Sequence, residues 1–202
     1  MKKYIIIGVI VVLGIILFAS GRSTYNSMVT LDQDVENQWA KVQVQYQRRL
    51  DLIPNLVETV KGYAAHESET YEKVTQARAG LTDAYNAANA ESAAMPAAEA
   101  DFTANQRTQD ALNRALSIYV NAVHEAYPDL KADTQFINLQ TQLEGTENRI
   151  ATERGRYTDI VREYNVAVKR FPANLWAGIF GFSAKPQFAA DPEAAKAPTV
   201  QF

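Results

Sequence analysis

The chain has 202 residues, a net charge of −3 and no cysteine. The missing thiols exclude disulfides, thiolate zinc sites, a cysteine nucleophile and a lipid-modified cysteine at the N-terminus, and the acidic balance offers no basic domain of the kind that holds nucleic acid. Hydrophobic residues make up 47%, but much of that share is alanine, which favours helix and adds little core volume, so the composition suits long, narrow helical packing better than an α/β body.

Lys2 and Lys3 precede an uncharged run from Tyr4 to Ser20. Its apolar side chains are Tyr4, Ile5, Ile6, Ile7, Val9, Ile10, Val11, Val12, Leu13, Ile15, Ile16, Leu17 and Phe18. A spanning helix needs roughly 17–25 such residues, and Gly21 extends the run before Arg22. The run has no polar face, unlike a buried core helix, so residues 1–21 read as a transmembrane anchor in the lipid bilayer. A cleaved signal peptide is the rival, because Ala19-Ser20-Gly21 puts small residues where a signal peptidase cuts. The run is longer than most signal cores, which favours the anchor. The lysine pair places the N-terminus in the cytoplasm and the body outside; Arg22 counts the other way.

Residues 22–172 read as helices. Val35, Trp39, Val42, Tyr46, Leu50, Ile53, Val57 and Val60 recur at alternating steps of three and four, one stripe down a helix from about Tyr25 to Tyr63. Pro54 interrupts that stripe and predicts a kink; Gly62 and His66 mark its end. Tyr71, Val74, Arg78, Leu81, Tyr85 and Ala88 predict a second helix from about Ser68 to Asn89. An alanine-rich stretch with Met95-Pro96 is the candidate long turn. Leu112, Leu116, Tyr119, Val123 and Ala126 lie on a third helix that stops before Pro128. Asp129 or Asp133 could cap a fourth, which carries Phe136, Leu139, Leu143, Ile150, Tyr157, Val161, Tyr164, Val168 and Phe171 and ends at Pro172.

Short turns make successive helices antiparallel, so the first helix leaves the membrane and the fourth returns. Both run to about 40 residues, roughly 60 Å, while the middle pair is shorter. Four helices can therefore pack far from the membrane, but only two run side by side near it. Met28, Leu31, Val35, Trp39, Tyr164, Val168 and Phe171 need a further cover there: the chain's own tail, a second copy, or another membrane protein.

The tail, residues 173–202, opens with Leu175, Trp176, Ile179, Phe180 and Phe182, the most aromatic stretch of the chain. Rings at that height either lie in the lipid interface or cap the end of the core. Lys185-Pro186-Gln187-Phe188 and Thr199-Val200-Gln201-Phe202 read as extended segments, each ending in an aromatic that could dock on the body or on a neighbour.

Sites for chemistry are sparse. His66-Glu67 and His124-Glu125 resemble the start of a zinc-protease motif, but Thr70 and Pro128 stand where the second histidine belongs. Both pairs fall at the far tip, where His66 and His124 could together hold zinc; two surface histidines placed there by chance are the plainer reading. No cofactor motif stands out. Arg48, Arg49 and Asp51 on the first helix and Glu144, Glu147, Asn148, Arg149 and Arg154 on the fourth form dense polar clusters beside the apolar stripe. They read as cross-helix ion pairs and hydrogen bonds that set register.

The same clusters carry a family resemblance. Trp39-Ala40, Gln45-Tyr46-Gln47-Arg48-Arg49, Asp51-Leu52-Ile53-Pro54-Asn55-Leu56-Val57 and Lys61-Gly62-Tyr63 resemble the LemA family of bacterial membrane proteins. Leu143-Glu144-Gly145-Thr146-Glu147-Asn148-Arg149-Ile150 is similar to its second signature, and Tyr164-Asn165, Arg170-Phe171-Pro172 and Phe180-Gly181-Phe182 to its third. The resemblance implies an N-terminal anchor, an antiparallel helical bundle and no recognised catalytic activity. Relatives encoded near membrane metalloproteases suggest envelope quality control by association.

The expectation is an all-α chain: a transmembrane helix, an elongated antiparallel four-helix bundle with two long outer helices, and a mostly extended tail. Its expected role is a non-enzymatic scaffold in the bacterial cell envelope that forms a homo-oligomer or meets a membrane partner through its membrane-proximal end. The alternatives are an adaptor for a membrane metalloprotease and a metal sensor using the two histidines.

Overall fold

The computed structural model describes residues 2–65, 72–91, 95, 96 and 98–189. They form five α-helices: α1 Lys2–Ala64, α2 Glu72–Asn89, α3 Glu99–Ala126, α4 Thr134–Lys169 and α5 Ala173–Phe180. A 3-10 turn, Pro128–Ala132, joins α3 to α4. No strand occurs among the described residues.

The apolar run and the first helix of the body are one helix. Nothing between Ser20 and Tyr25 breaks it: Gly21 weakens helix by about 1 kcal/mol, too little against good formers on both sides. The helix also continues through Pro54. The side chains from Tyr4 to Phe18 are all more than half exposed to the surroundings, as a lipid-facing segment is and a core helix is not. This is the one described helix long and apolar enough to cross a membrane.

Asp133, one of the two foreseen caps, starts α4: its carboxylate accepts the Phe136 N–H at 2.9 Å, satisfying a donor that the first turn leaves orphaned. Asp129 lies inside the 3-10 turn instead. Gln38 meets Glu153 and Arg49 meets Glu147, so rising numbers on α1 face falling numbers on α4. Helices α2 and α3 pack on each other.

Two apolar cores stack along the body. The far one gathers Leu50, Ile53, Leu56 and Val60 of α1 with Leu81 of α2, Leu112, Leu116, Tyr119 and Val123 of α3, and Phe136 and Leu143 of α4. The near one gathers Met28, Val35, Trp39, Val42 and Tyr46 with Phe102, Ile150, Tyr157, Val161, Tyr164, Val168 and Ala177. Phe102, near the start of α3, meets Trp39 at a ring separation of 5.6 Å, so the shorter helix pair reaches down to the level of Trp39. Below Trp39 the cover comes from the chain's own tail, one of the three coverings left open. That tail begins as a helix, α5, and only then becomes extended. Thr199–Phe202, His66 and Glu67 lie outside the described residues.

Candidate functional site

Of the two foreseen polar clusters, Arg49 and Glu147 meet between the cores, Arg154 is drawn in beside them, and Arg48, Asn148 and Arg149 face outward. Arg49, 1% exposed, donates through Nη1 to Glu147 at 3.0 Å and through Nη2 to the side-chain and main-chain oxygens of Gln109 on α3. Arg154 donates to the Tyr46 hydroxyl at 2.7 Å and to Asp110 at 2.8 Å. Burial raises the Tyr46 phenol against the opposing pull of Arg154. Burial works to lower Arg154, and Tyr46 and Asp110 more than reverse it. Each cation, Arg49 buried and Arg154 half-buried, thus ties α1, α3 and α4 together, and Arg49 above all needs its partner, because an unpaired buried charge is costly. Asp51 accepts from Gln47, and Glu144 from Gln140, each along its own helix. The α3 members, Gln109 and Asp110, were missed in the sequence: Gln109 continues the Leu112–Leu116–Tyr119 stripe toward the N-terminus at the same spacing, but a polar side chain does not register in an apolar pattern, and Asp110 stands beside it.

The near core is closed by a strap, residues 182–189, running back along α4. Gly181 adopts φ +80, a left-handed conformation that favours glycine, and turns the chain out of α5. Asn165 then grips Lys185: its amide nitrogen donates to the Lys185 carbonyl and its amide oxygen accepts the Lys185 N–H, both at 2.8 Å. Gln106 of α3 grips Ala189 the same way, at 2.7 and 3.3 Å. Between them the Tyr157 hydroxyl donates to the Pro186 carbonyl. The Lys185 ammonium pairs with Asp32 at 2.6 Å and lies over the Tyr164 ring. Phe188 enters a box of Trp39, Phe102 and Tyr157, ring separations 4.9–6.1 Å, with the Arg154 guanidinium over its face. The foreseen docking of Phe188 therefore takes place on the chain's own body.

At the end of the body that adjoins the apolar run, α5 lies beside α1. The Trp176 indole rests on Gly21, with ring atoms 3.1–3.3 Å from where a Cβ would stand. Phe180 and Phe182 close on Tyr25. Of the residues foreseen as a contact surface, Met28, Val35, Trp39, Tyr164 and Val168 are buried inside the chain, and Leu31, Trp176 and Phe182 are partly covered. Those left outward are Phe171, Leu175, Ile179 and Phe180, at 76, 58, 70 and 41% exposure. The His124 ring meets Phe136 edge-on. Among the described residues no three His, Asp or Glu side chains gather as a metal would require.

These features define a class: an all-helical protein whose N-terminal helix is long and apolar enough to cross a membrane, and whose body is laced shut by its own tail. The LemA family profile matches residues 38–202, and the chain belongs to the LemA family. Magnetosome protein MamQ 2 of Paramagnetospirillum magneticum is 28% identical over 200 residues, 91% of this chain and 72% of the relative. MamQ of Magnetospirillum gryphiswaldense is 26% identical over 183 residues, 83% of this chain and 65% of the relative. Protein LemA of Metamycoplasma hominis is 24% identical over 177 residues, 87% of this chain and 73% of the relative. The N-terminal apolar helix and these relatives fit a membrane-associated protein.

Proposed function

We propose that the chain is a non-enzymatic, membrane-anchored scaffold of the bacterial cell envelope that meets a second copy or a membrane partner through its membrane-proximal end. The observation that carries this is the outward apolar face of α5 beside the anchor, with Ile179 70% exposed, on a helix whose other side is packed. Exposed apolar faces on folded proteins mark contact sites. The pairing of Gln38 with Glu153 and Arg49 with Glu147 supports an elongated antiparallel bundle as the rod that holds this face in place.

Lys2 and Lys3 favour a cytoplasmic N-terminus and an outward body. Arg22, Lys169 and Arg170 on the body side count against it. Labelling Ser183→Cys in intact cells with a membrane-impermeant thiol reagent separates the two orientations: labelling means outside, protection means inside.

The scaffold reading is tested by light scattering of the full-length protein in mild detergent, beside Ile179→Ser. Assembly that falls to a monomer in the variant supports it. Assembly of unchanged size removes α5 as the contact. A monomer in both makes the adaptor reading, with a membrane metalloprotease as partner, the stronger one; crosslinking from Ile179→Cys would then recover that protease.

A further inference from the structure

We infer that the turn joining α4 to α5 is an anionic-lipid site, in which Phe171 and Leu175 enter the bilayer interface while Arg22, Lys169 and Arg170 hold phospholipid headgroups. This rests on reading the apolar run of α1 as a membrane anchor, and it assigns the lower part of the α5 face to lipid, leaving Ile179 for protein.

The depth follows from register. Gln38 faces Glu153. Eighteen residues back along α1 from Gln38 is Ser20, the last residue of the uncharged run, and eighteen residues onward from Glu153 is Phe171. Both helices rise about 1.5 Å per residue, so the turn falls between the end of the apolar run and Tyr25, the level that the more distant pair of Arg49 and Glu147 gives; Gln38 and Glu153, nearer the turn, set it at the end of the run. The Trp176 indole packed on Gly21 fixes the same level independently. Phe171 and Leu175, which lead into that contact, are exposed apolar residues there, at 76 and 58%. They stand beside the end of the anchor's apolar surface, and an amphipathic segment held at that height buries its apolar face in the headgroup–acyl boundary.

Charge points to the headgroup. The protein is net acidic at −3, yet neither residues 1–31 nor residues 164–190 contain a single Asp or Glu. The cations on the body side of those stretches are Arg22, Lys169, Arg170 and Lys185. Lys185 is spent on Asp32 higher up; the other three are exposed at the level of the turn. Guanidinium and ammonium groups beside an interfacial apolar anchor are attracted to anionic phospholipid, and arginine matches the phosphate oxygens with two parallel donors.

The chain has no native cysteine, so single nitroxide labels can be placed at will in the full-length protein in nanodiscs. Labels go at Phe171→Cys and Leu175→Cys, at Leu13→Cys as the bilayer reference, and at Ile118→Cys, 61% exposed on α3, as the water reference. Collision with oxygen against collision with a water-soluble nickel chelate reads depth. The expected result is an oxygen preference at 171 and 175 several-fold above that at 118. The labels should sink further when phosphatidylglycerol is added to phosphatidylcholine, and that extra depth should vanish in Arg22→Gln/Lys169→Gln/Arg170→Gln. Nickel access at 171 and 175 equal to that at 118 overturns the site. Spin–spin broadening that disappears on dilution with unlabelled protein gives the face to a second copy and also overturns it. Indifference to phosphatidylglycerol overturns the headgroup assignment. Nickel access at Leu13→Cys would instead overturn the anchor reading beneath it.

Discussion

Asn165 reads both halves of the Lys185 backbone, its amide donating to the carbonyl and accepting from the N–H at 2.8 Å each way. A side chain on α4 thereby does for the strap what a neighbouring strand does in a sheet.

Replacing Asn165 by Asp keeps the shape and the acceptor but removes the donor and sets a carboxylate against the Lys185 carbonyl. The expected cost is about 1–3 kcal/mol, the penalty for a group left without its partner. Amides 182–189 should exchange hydrogen faster while those of the far core are unchanged. Unaltered exchange across the strap would show that Phe188 and Lys185 hold it without the clamp.

Gly21 is expected to tolerate no bulk. A leucine there would run into the Trp176 indole, which already sits 3.1 Å from a Cβ position. Gly21→Leu should move the indole and shift its fluorescence, read in a Trp39→Phe background. Gly14→Leu is the control, because nothing lies within 4 Å of a Cβ there. Equal spectra for the two variants would refute the contact.

Arg49 and Glu147 form a pair at 3.0 Å with the arginine side chain 1% exposed. Glu147→Gln leaves the buried cation without its counter-charge, and breaking such a pair costs about 3–5 kcal/mol. The lower end is expected here, since Glu147 itself is 25% exposed. Arg49→Met, which removes the charge as well, should cost less. Urea unfolding of both variants measures the order, and the reverse order would mean the cation is not held mainly by Glu147.

Burial raises the phenols of Tyr119 and Tyr164 to about 12, while in the unfolded chain they ionise near the usual tyrosine value of about 10. Above that value the unfolded state sheds protons that the folded state keeps, so stability falls as pH rises. The contribution is whole below about pH 10 and is lost progressively up to about pH 12. Alkaline titration followed by phenolate absorbance and helical signal together should show late ionisation coinciding with unfolding. Phenolate formation complete by about pH 11, with the helices intact, would contradict it.

The heptad-like stripe made the buried face of α1 legible: Val35, Trp39, Val42, Tyr46, Leu50, Ile53 and Val60 are all in the core. The polar clusters were legible only in part: Arg49, Glu147 and Arg154 reach across helices, whereas Asp51 and Glu144 bond along their own helices and Arg48, Asn148 and Arg149 face outward. Three things were harder to read. The continuity of α1 was hidden by Ser20 and Gly21, which look like a boundary but impose none when strong helix formers flank them. The helix α5 was signalled by Pro172 at its start and Gly181 after its end, a start-and-stop pattern that the density of aromatics obscured. The amide clamps at Asn165 and Gln106 left no local trace, since each joins residues 20 and 83 positions apart and a lone amide on a helix looks like any solvated one.

On the anchor reading proposed above, the unbroken helix from Lys2 to Ala64 makes the body a pointer whose pivot lies in lipid. From Gly21 to Ile53 the arm is about 50 Å at 1.5 Å per residue. Membrane helices tilt by about 20° on average and adjust tilt to bilayer thickness, and a swing of about that size would sweep the Ile53 level through roughly 17 Å. Local thickness would then be converted into position well above the membrane, and a collar gripping the headgroups through Arg22, Lys169 and Arg170 would set how freely the pointer moves.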